Sequence, residues 1–231
     1  MNSPRPTVAA GGDAAAFAPP SQLTATPTNG GVLLHWRNNA GADGGHWVEF
    51  ATPGSEYTKL NVAFAGTPAT SFFHRRVAPQ SIFLYRIEPY FGSASRPVEI
   101  TTGTAAPNAP ALEEGPLASG EDSPAGGNRT GYSLRNRRTM AKAVPVDLTA
   151  ALSSPTSVDF YWKDCASDED GYLLEVGLSP RGDFQICALL PPNTTSFRKT
   201  QLPAAARFYF RVRAYVNGKP SAVISVRTSA P

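Results

Sequence analysis

Arg207-Phe208-Tyr209-Phe210-Arg211-Val212-Arg213-Ala214-Tyr215 decides how the chain folds, because nearly the same stretch has already occurred as Ile82-Phe83-Leu84-Tyr85-Arg86-Ile87-Glu88-Pro89-Tyr90. Both alternate aromatic or aliphatic residues with outward ones, pass through an arginine at the same place and end on tyrosine. Arg86 subtracted from Arg211 gives a period of 125 residues, and Trp36 subtracted from Trp162 gives 126. A repeat this long is a domain occurring twice, not a solenoid unit.

Bulk properties agree. The 231 residues are 41% hydrophobic and 17% charged, with 22 Pro and 20 Gly, so two small cores are possible among many turns. Helical periodicity is absent; short β-rich runs punctuated by Gly, Pro, Asn and Asp recur. A net charge of +3, spread thinly, does not make a nucleic-acid surface. No stretch is long and apolar enough for a membrane span. The first 20 residues lack the apolar core of a signal peptide, so either export by that route is absent or a leader has been removed.

In order, residues 1–18 read as a flexible leader and 19–103 as a first domain. Val32, Leu34 and Trp36 alternate onto one face. His46, Val48 and Phe50 share another, with Trp47 and Glu49 opposite. Tyr57–Phe64 and Ser71–Phe73 are shorter strand candidates. Phe83, Tyr85 and Ile87 point inward, and Val98–Thr102 closes the domain. From 104 to 143 periodicity gives way to Pro, Ala, Gly and Ser, with too few apolar groups to offset the entropy of ordering. This reads as a disordered linker between independently moving domains. Residues 144–231 repeat the plan: Val158–Trp162, Gly171–Val176, Phe184–Leu190, Thr195–Phe197, Phe208–Tyr215 and Val223–Thr228.

The fold class that follows is all-β: two immunoglobulin-like, seven-stranded β-sandwiches. The order of signals resembles the fibronectin type III family, through Pro145, Leu148, Trp162, Gly171-Tyr172, Leu202 and the run from Phe208 to Ala214. Asp168–Glu175 and Asn193–Phe197 are most similar to the form found in bacterial secreted and surface proteins. The family's corner tyrosine is replaced by Phe83 and Phe208, which carry no hydroxyl for that hydrogen bond.

Candidate chemistry is sparse. His35, His46 and His74 have no ligand spacing and no counterparts in the second domain. No nucleophile elbow or phosphate loop occurs. No catalytic residue, metal site or cofactor is therefore expected, and the chain reads as a non-enzyme. The acidic loop Asp164, Asp168, Glu169 and Asp170 lacks the alternating spacing of a helix-loop-helix calcium site and reads as solvated. Cys165 and Cys187 fall on opposite sheets, which favours reduced thiols over a disulfide. Arg181-Gly182-Asp183 reads as a turn leading into Phe184, and Asn128 and Asn193 begin glycosylation sequons. Arg135-Asn136-Arg137-Arg138 reads as a solvated basic patch of the linker.

An interaction surface is the remaining possibility. Trp47, Leu84 and Arg86 share the outer face of one sheet; Leu173, Tyr209 and Arg211 occupy the equivalent face in the second domain. Covering the sheet explains them better than binding does. The expectation is a spacer, adhesion or protein-binding element at a cell surface, envelope or extracellular assembly, without nucleic acid or a membrane span. A carbohydrate-binding accessory module, meeting polysaccharide through Trp47 and Tyr209, is one alternative. A self-associating filament or virion subunit is the other.

Overall fold

The computed structural model describes residues 18–39, 44–60, 69–104, 112–117, 132–135 and 137–230. Residues 1–17, the Asn128 sequon, residues 61–64 of one strand candidate and much of the expected linker lie outside this set. Seven strands come first: β1 (Ser21–Thr28), β2 (Gly31–Arg37), β3 (Gly44–Ala51), β4 (Thr58–Lys59), β5 (Ser71–Arg75), β6 (Ile82–Phe91) and β7 (Val98–Thr101). A short turn of helix, α1 (Arg137–Met140), precedes the rest. These are β8 (Val146–Ser154), β9 (Ser157–Lys163), β10 (Gly171–Gly177), β11 (Phe184–Leu190), β12 (Ser196–Lys199), β13 (Arg207–Asn217) and β14 (Ile224–Arg227).

The expected alternation holds along the key strands. Val32, Leu34 and Trp36 are buried while His35 and Arg37 are exposed, so β2 turns one face to a core. Phe83, Tyr85 and Ile87 bury the matching face of β6 into that core, and Phe208, Phe210 and Val212 do the same on β13 in a second one. Two antiparallel three-stranded sheets, β1-β2-β5 and β12-β9-β8, cover these cores from one side. The other side of both is covered by one continuous eight-stranded sheet, in which β6 and β13 are neighbours.

The closing strands depart from expectation. β7 was expected to complete the first sandwich, but it pairs with β13 of the second, Val98 opposite Phe210 and Thr101 opposite Arg207. β14 pairs with β6 of the first, Ile224 opposite Tyr85 and Arg227 opposite Ile82. Val226 accordingly enters the first core, and Val98 and Ile100 pack on the second. Among the described residues each sandwich has seven strands, six from its own segment and one from the other. Put differently, the second sandwich sits between the sixth and last strands of the first, with its own last strand coming first in sequence.

The backbone shows why. After β6 the chain does not fold back as a hairpin; Phe91 pairs with Val216 and Tyr90 with Asn217. Ala94 bridges Arg213, and the strand runs on beside β13 into β7. Gly92, at φ 154°, makes the crossing: a Cβ there would lie 1.9 Å from the Ala214 carbonyl oxygen. Only glycine fits so close an approach. Strands β6–β7 and β13–β14 thus form two long antiparallel ribbons related by an approximate two-fold.

Parts of the expected linker are also built in. Gly115 pairs with Arg198 on the outer edge of β12, its N–H donating to the Arg198 oxygen at 3.2 Å and its own oxygen accepting from the Arg198 N–H at 2.8 Å. Leu134, Met140 and Ala143 are buried in the second core. Asp168 fixes this return by accepting from the Leu134 N–H and Ser133 Oγ, both at 2.6 Å. Shared strands replace the expected independent movement of the two halves with a joint.

Candidate functional site

The joint is the most distinctive place in the molecule, and the repeat builds it. Trp47 and Leu173 occupy equivalent positions on β3 and β10, and Tyr90 and Tyr215 on β6 and β13. All four meet in one buried cluster. The Trp47 ring lies 4.8 Å from Tyr90 and 5.7 Å from Tyr215, and the two tyrosines are 6.0 Å apart, the last two contacts edge-on. The indole Nε1 donates to Asn217 Oδ1 at 2.9 Å, satisfying its one donor. Burial pushes the hydroxyls of Tyr90 and Tyr215 up to about 12, so both stay neutral. Contacts of β7 and β14 are of the same kind whichever sandwich receives them, so they do not select the exchange. The cluster does, since each large side chain buried contributes roughly 1.5–3 kcal/mol.

Hydrogen bonds repeat about the same axis. The Ser221 N–H donates to the Ile87 oxygen at 2.8 Å, and the Ser95 N–H to the Val212 oxygen at 2.8 Å. In return Ser221 Oγ accepts from the Ile87 N–H at 3.0 Å and Ser95 Oγ from the Val212 N–H at 3.1 Å. At the far ends Thr228 Oγ1 donates to the Ala78 oxygen and Thr102 Oγ1 to the Pro203 oxygen, each at 2.7 Å. The corner beside Phe83 and Phe208, lacking a tyrosine hydroxyl, is thus bonded by a threonine from the exchanged strand.

Placed individually, the six surface candidates divide. Trp47 and Leu173, expected on open faces, are buried at 4% and 0% exposure; the face each covers belongs to the other half of the chain. Leu84, Arg86, Tyr209 and Arg211 are half-buried. Arg86 lies 4.1 Å over the Tyr57 ring and binds buried Glu49 through Nε at 2.5 Å. Arg211 repeats this, 4.0 Å over Phe184 and bonded to buried Glu175, which also accepts from Arg213 Nε at 2.6 Å. These arginines cap buried carboxylates and cover the sheet. The structure brings Trp47 and Leu173 together and leaves the other four on their separate strands.

The acidic loop is similarly engaged. Asp164 Oδ1 accepts from the Ala166 N–H at 2.9 Å, Glu169 Oε1 from Asn193 at 3.1 Å, and Asp170 Oδ2 from Asn217 at 2.7 Å. Among the described residues no group of three or more His, Cys, Asp or Glu side chains is arranged to hold a metal ion. Cys165 and Cys187 are not joined in a disulfide, and burial pushes the Cys187 thiol up to about 12. Arg181-Gly182-Asp183 lies exposed at the β10–β11 turn, closed by the Gly182 N–H donating to the Ser179 oxygen at 3.4 Å. No helix is long and apolar enough to cross a membrane among the described residues.

Tyr90, Tyr215, Asn217, Ser95 and Ser221 were not singled out from sequence. The signal was there for the tyrosines: they end both copies of the key strand, and Gly45 leaves room for the Tyr90 ring, where a Cβ would lie 2.3 Å from its hydroxyl oxygen.

No protein-family model matches the chain, and no curated protein matches it. It is similar to a two-domain fibronectin type III segment of chicken tenascin, at 13% identity over 90% of this chain and 99% of that one, with a TM-score of 0.28. It is also similar to the FN1–FN3 domains of chicken CNTN1, at 14% identity over 92% of this chain and 68% of that one, TM-score 0.28. Within each half the described strands form a three-plus-four sandwich, β1-β2-β5 facing β4-β3-β6-β14 and β8-β9-β12 facing β11-β10-β13-β7. The chain is a pair of seven-stranded β-sandwiches, counted over the described residues, whose last strands are exchanged.

Proposed function

We propose that this chain is a non-catalytic structural and protein-binding element that presents two sandwiches in a fixed mutual orientation at a cell surface, envelope or extracellular assembly. The observation that supports it is the reciprocal exchange of β7 and β14 around the Trp47–Tyr90–Tyr215 cluster. A shared sheet replaces the hinge that a long tether would give, so the two modules act as one body for display or spacing. Trp47 contributes through the joint and not through an open sugar-stacking face, because its ring is buried and its Nε1 is engaged.

Spin labels on exposed Ser55 and Ser179, with both native cysteines replaced by serine, test the fixed orientation. One narrow distance distribution is expected, unchanged by added salt; a broad distribution typical of a flexible tether contradicts the proposal. Labelling of intact source cells with a membrane-impermeant reagent tests location, and protection of the protein in intact cells contradicts surface display.

A further inference from the structure

The two three-stranded sheets carry the same strands but end differently. On β12, Arg198 and Thr200 turn their backbone groups outward, away from β9. That edge is occupied by the chain's own extended segment around Gly115. The segment is acidic: Glu114 Oε2 accepts from Lys199 Nζ at 2.5 Å, from the Thr200 N–H at 3.1 Å and from Thr200 Oγ1 at 3.3 Å.

The equivalent edge of the first sandwich is β5. Its register against β2, with the Trp36 N–H donating to Thr70 and the Arg76 N–H to Gly30, directs Thr70, Phe72, His74 and Arg76 toward β2. Alternation in an antiparallel pair then turns the N–H and C=O of Phe73 and the N–H of Arg75 outward. These are the counterparts of Arg198 and Thr200, and no strand pairs with them among the described residues. The charge also differs. β1, β2 and β5 contain no Asp or Glu, yet Arg37 and Arg75 are exposed on them and Arg76 follows directly. The second sheet is balanced, with Asp159 bound by Arg198 at 2.6 and 2.7 Å.

We propose that the outer edge of β5 accepts an extended acidic peptide segment of a partner protein, paired through Phe73 with its carboxylate near Arg75 and Arg76, as the chain's own segment is held on β12. Main-chain pairing would supply affinity, and Arg75 and Arg76, which have no acidic partner among the described residues, would select acidic sequences. The inference deepens the protein-binding part of the proposed function and rests on it.

The test is an amide-resolved NMR titration of the full chain with the peptide Leu-Glu-Glu-Gly-Pro-Leu, the sequence of residues 112–117. Shifts centred on the Phe73 and Arg75 amides are expected at millimolar peptide. Affinity should fall at least about tenfold in an Arg75→Glu/Arg76→Glu variant, a loss of about 1.4 kcal/mol. The Lys-Lys form of the peptide should not bind. Phe73→Pro, which removes an N–H unused by the ladder, should abolish binding, and the charge variant decides the matter if the proline variant fails to fold. No shift on β5, binding that survives charge reversal, or a Phe73 amide already slow to exchange in the free protein would overturn the proposal. So would concentration-dependent dimerisation through β5, which would make the occupant a second copy. The titration reads β5 alone and the spin-label distances read the joint alone, so either can fail without the other.

Discussion

Ser221 grips Ile87 at both of its hydrogen-bonding ends: the serine N–H donates to the Ile87 oxygen, and the serine Oγ accepts from the Ile87 N–H. The two residues lie 134 positions apart and hold one chain end against the opposite domain's central strand. Ser221→Ala leaves the buried Ile87 N–H without a partner, which costs about 1–3 kcal/mol. Urea denaturation is expected to show a lowered midpoint of that size. Ser95→Ala is expected to match it from the other side, and a change near zero in both would mean the seam is not formed.

Trp47 tests the joint. Truncation to alanine empties most of a buried indole site and is expected to cost about 3–5 kcal/mol. Trp47→Phe keeps much of the packing but leaves Asn217 Oδ1 without its donor, at about 1 kcal/mol. Differential scanning calorimetry is expected to show one transition for the native chain. In the alanine variant the transition should broaden or split, since the sandwiches then share strands without a packed cluster. A sharp native-like transition in that variant would count against the joint as the coupling element.

Acid stability follows from His46. Its imidazole is buried edge-on to Trp36, neither ring nitrogen finds a hydrogen bond among the described residues, and burial pushes its pKa down to about 4. An unfolded histidine takes up its proton near 6.5. As pH falls from 6.5 toward 4 the unfolded state gains a proton that the folded state refuses, so stability drops across this window, by on the order of 3 kcal/mol at most. His74, lowered by burial as well, adds in the same direction. Glu114, held by Lys199 and Thr200, and Asp159, held by Arg198, keep their carboxyls below the ordinary carboxylate range and leave the upper part of the window clear. Stability of His46→Leu measured from pH 7 to about 5 should show a shallower slope than the native chain; identical slopes would exclude His46 as a source.

Much of this architecture was legible in the chain. The paired runs ending at Tyr90 and Tyr215, the two tryptophans and the alternation of Val32, Leu34 and Trp36 give two sandwiches, because burial of one face imposes period two on any strand. Partner choice between like strands was not legible. Val98 and Ile100 present the same small apolar pattern as Ile224 and Val226, so either strand completes either core. What selects the crossing is tertiary: the Gly92 approach, the two serine seams and the four-residue cluster. That is also why Trp47 and Leu173 read as open faces; nothing local to β3 or β10 says that the cover comes from the other half.

The exchange itself is tested most directly by disulfide trapping in a chain whose Cys165 and Cys187 are replaced by serine. Leu84 and Ser225 face each other across the β6–β14 pair. Leu84→Cys with Ser225→Cys is expected to oxidise to an internally bridged monomer of altered mobility, and Tyr209→Cys with Ser225→Cys to remain reduced. If β14 instead completes its own segment's sandwich, Ser225 lies beside Tyr209. The second pair would then bridge and the first would not, contradicting the exchange and the fixed joint built on it.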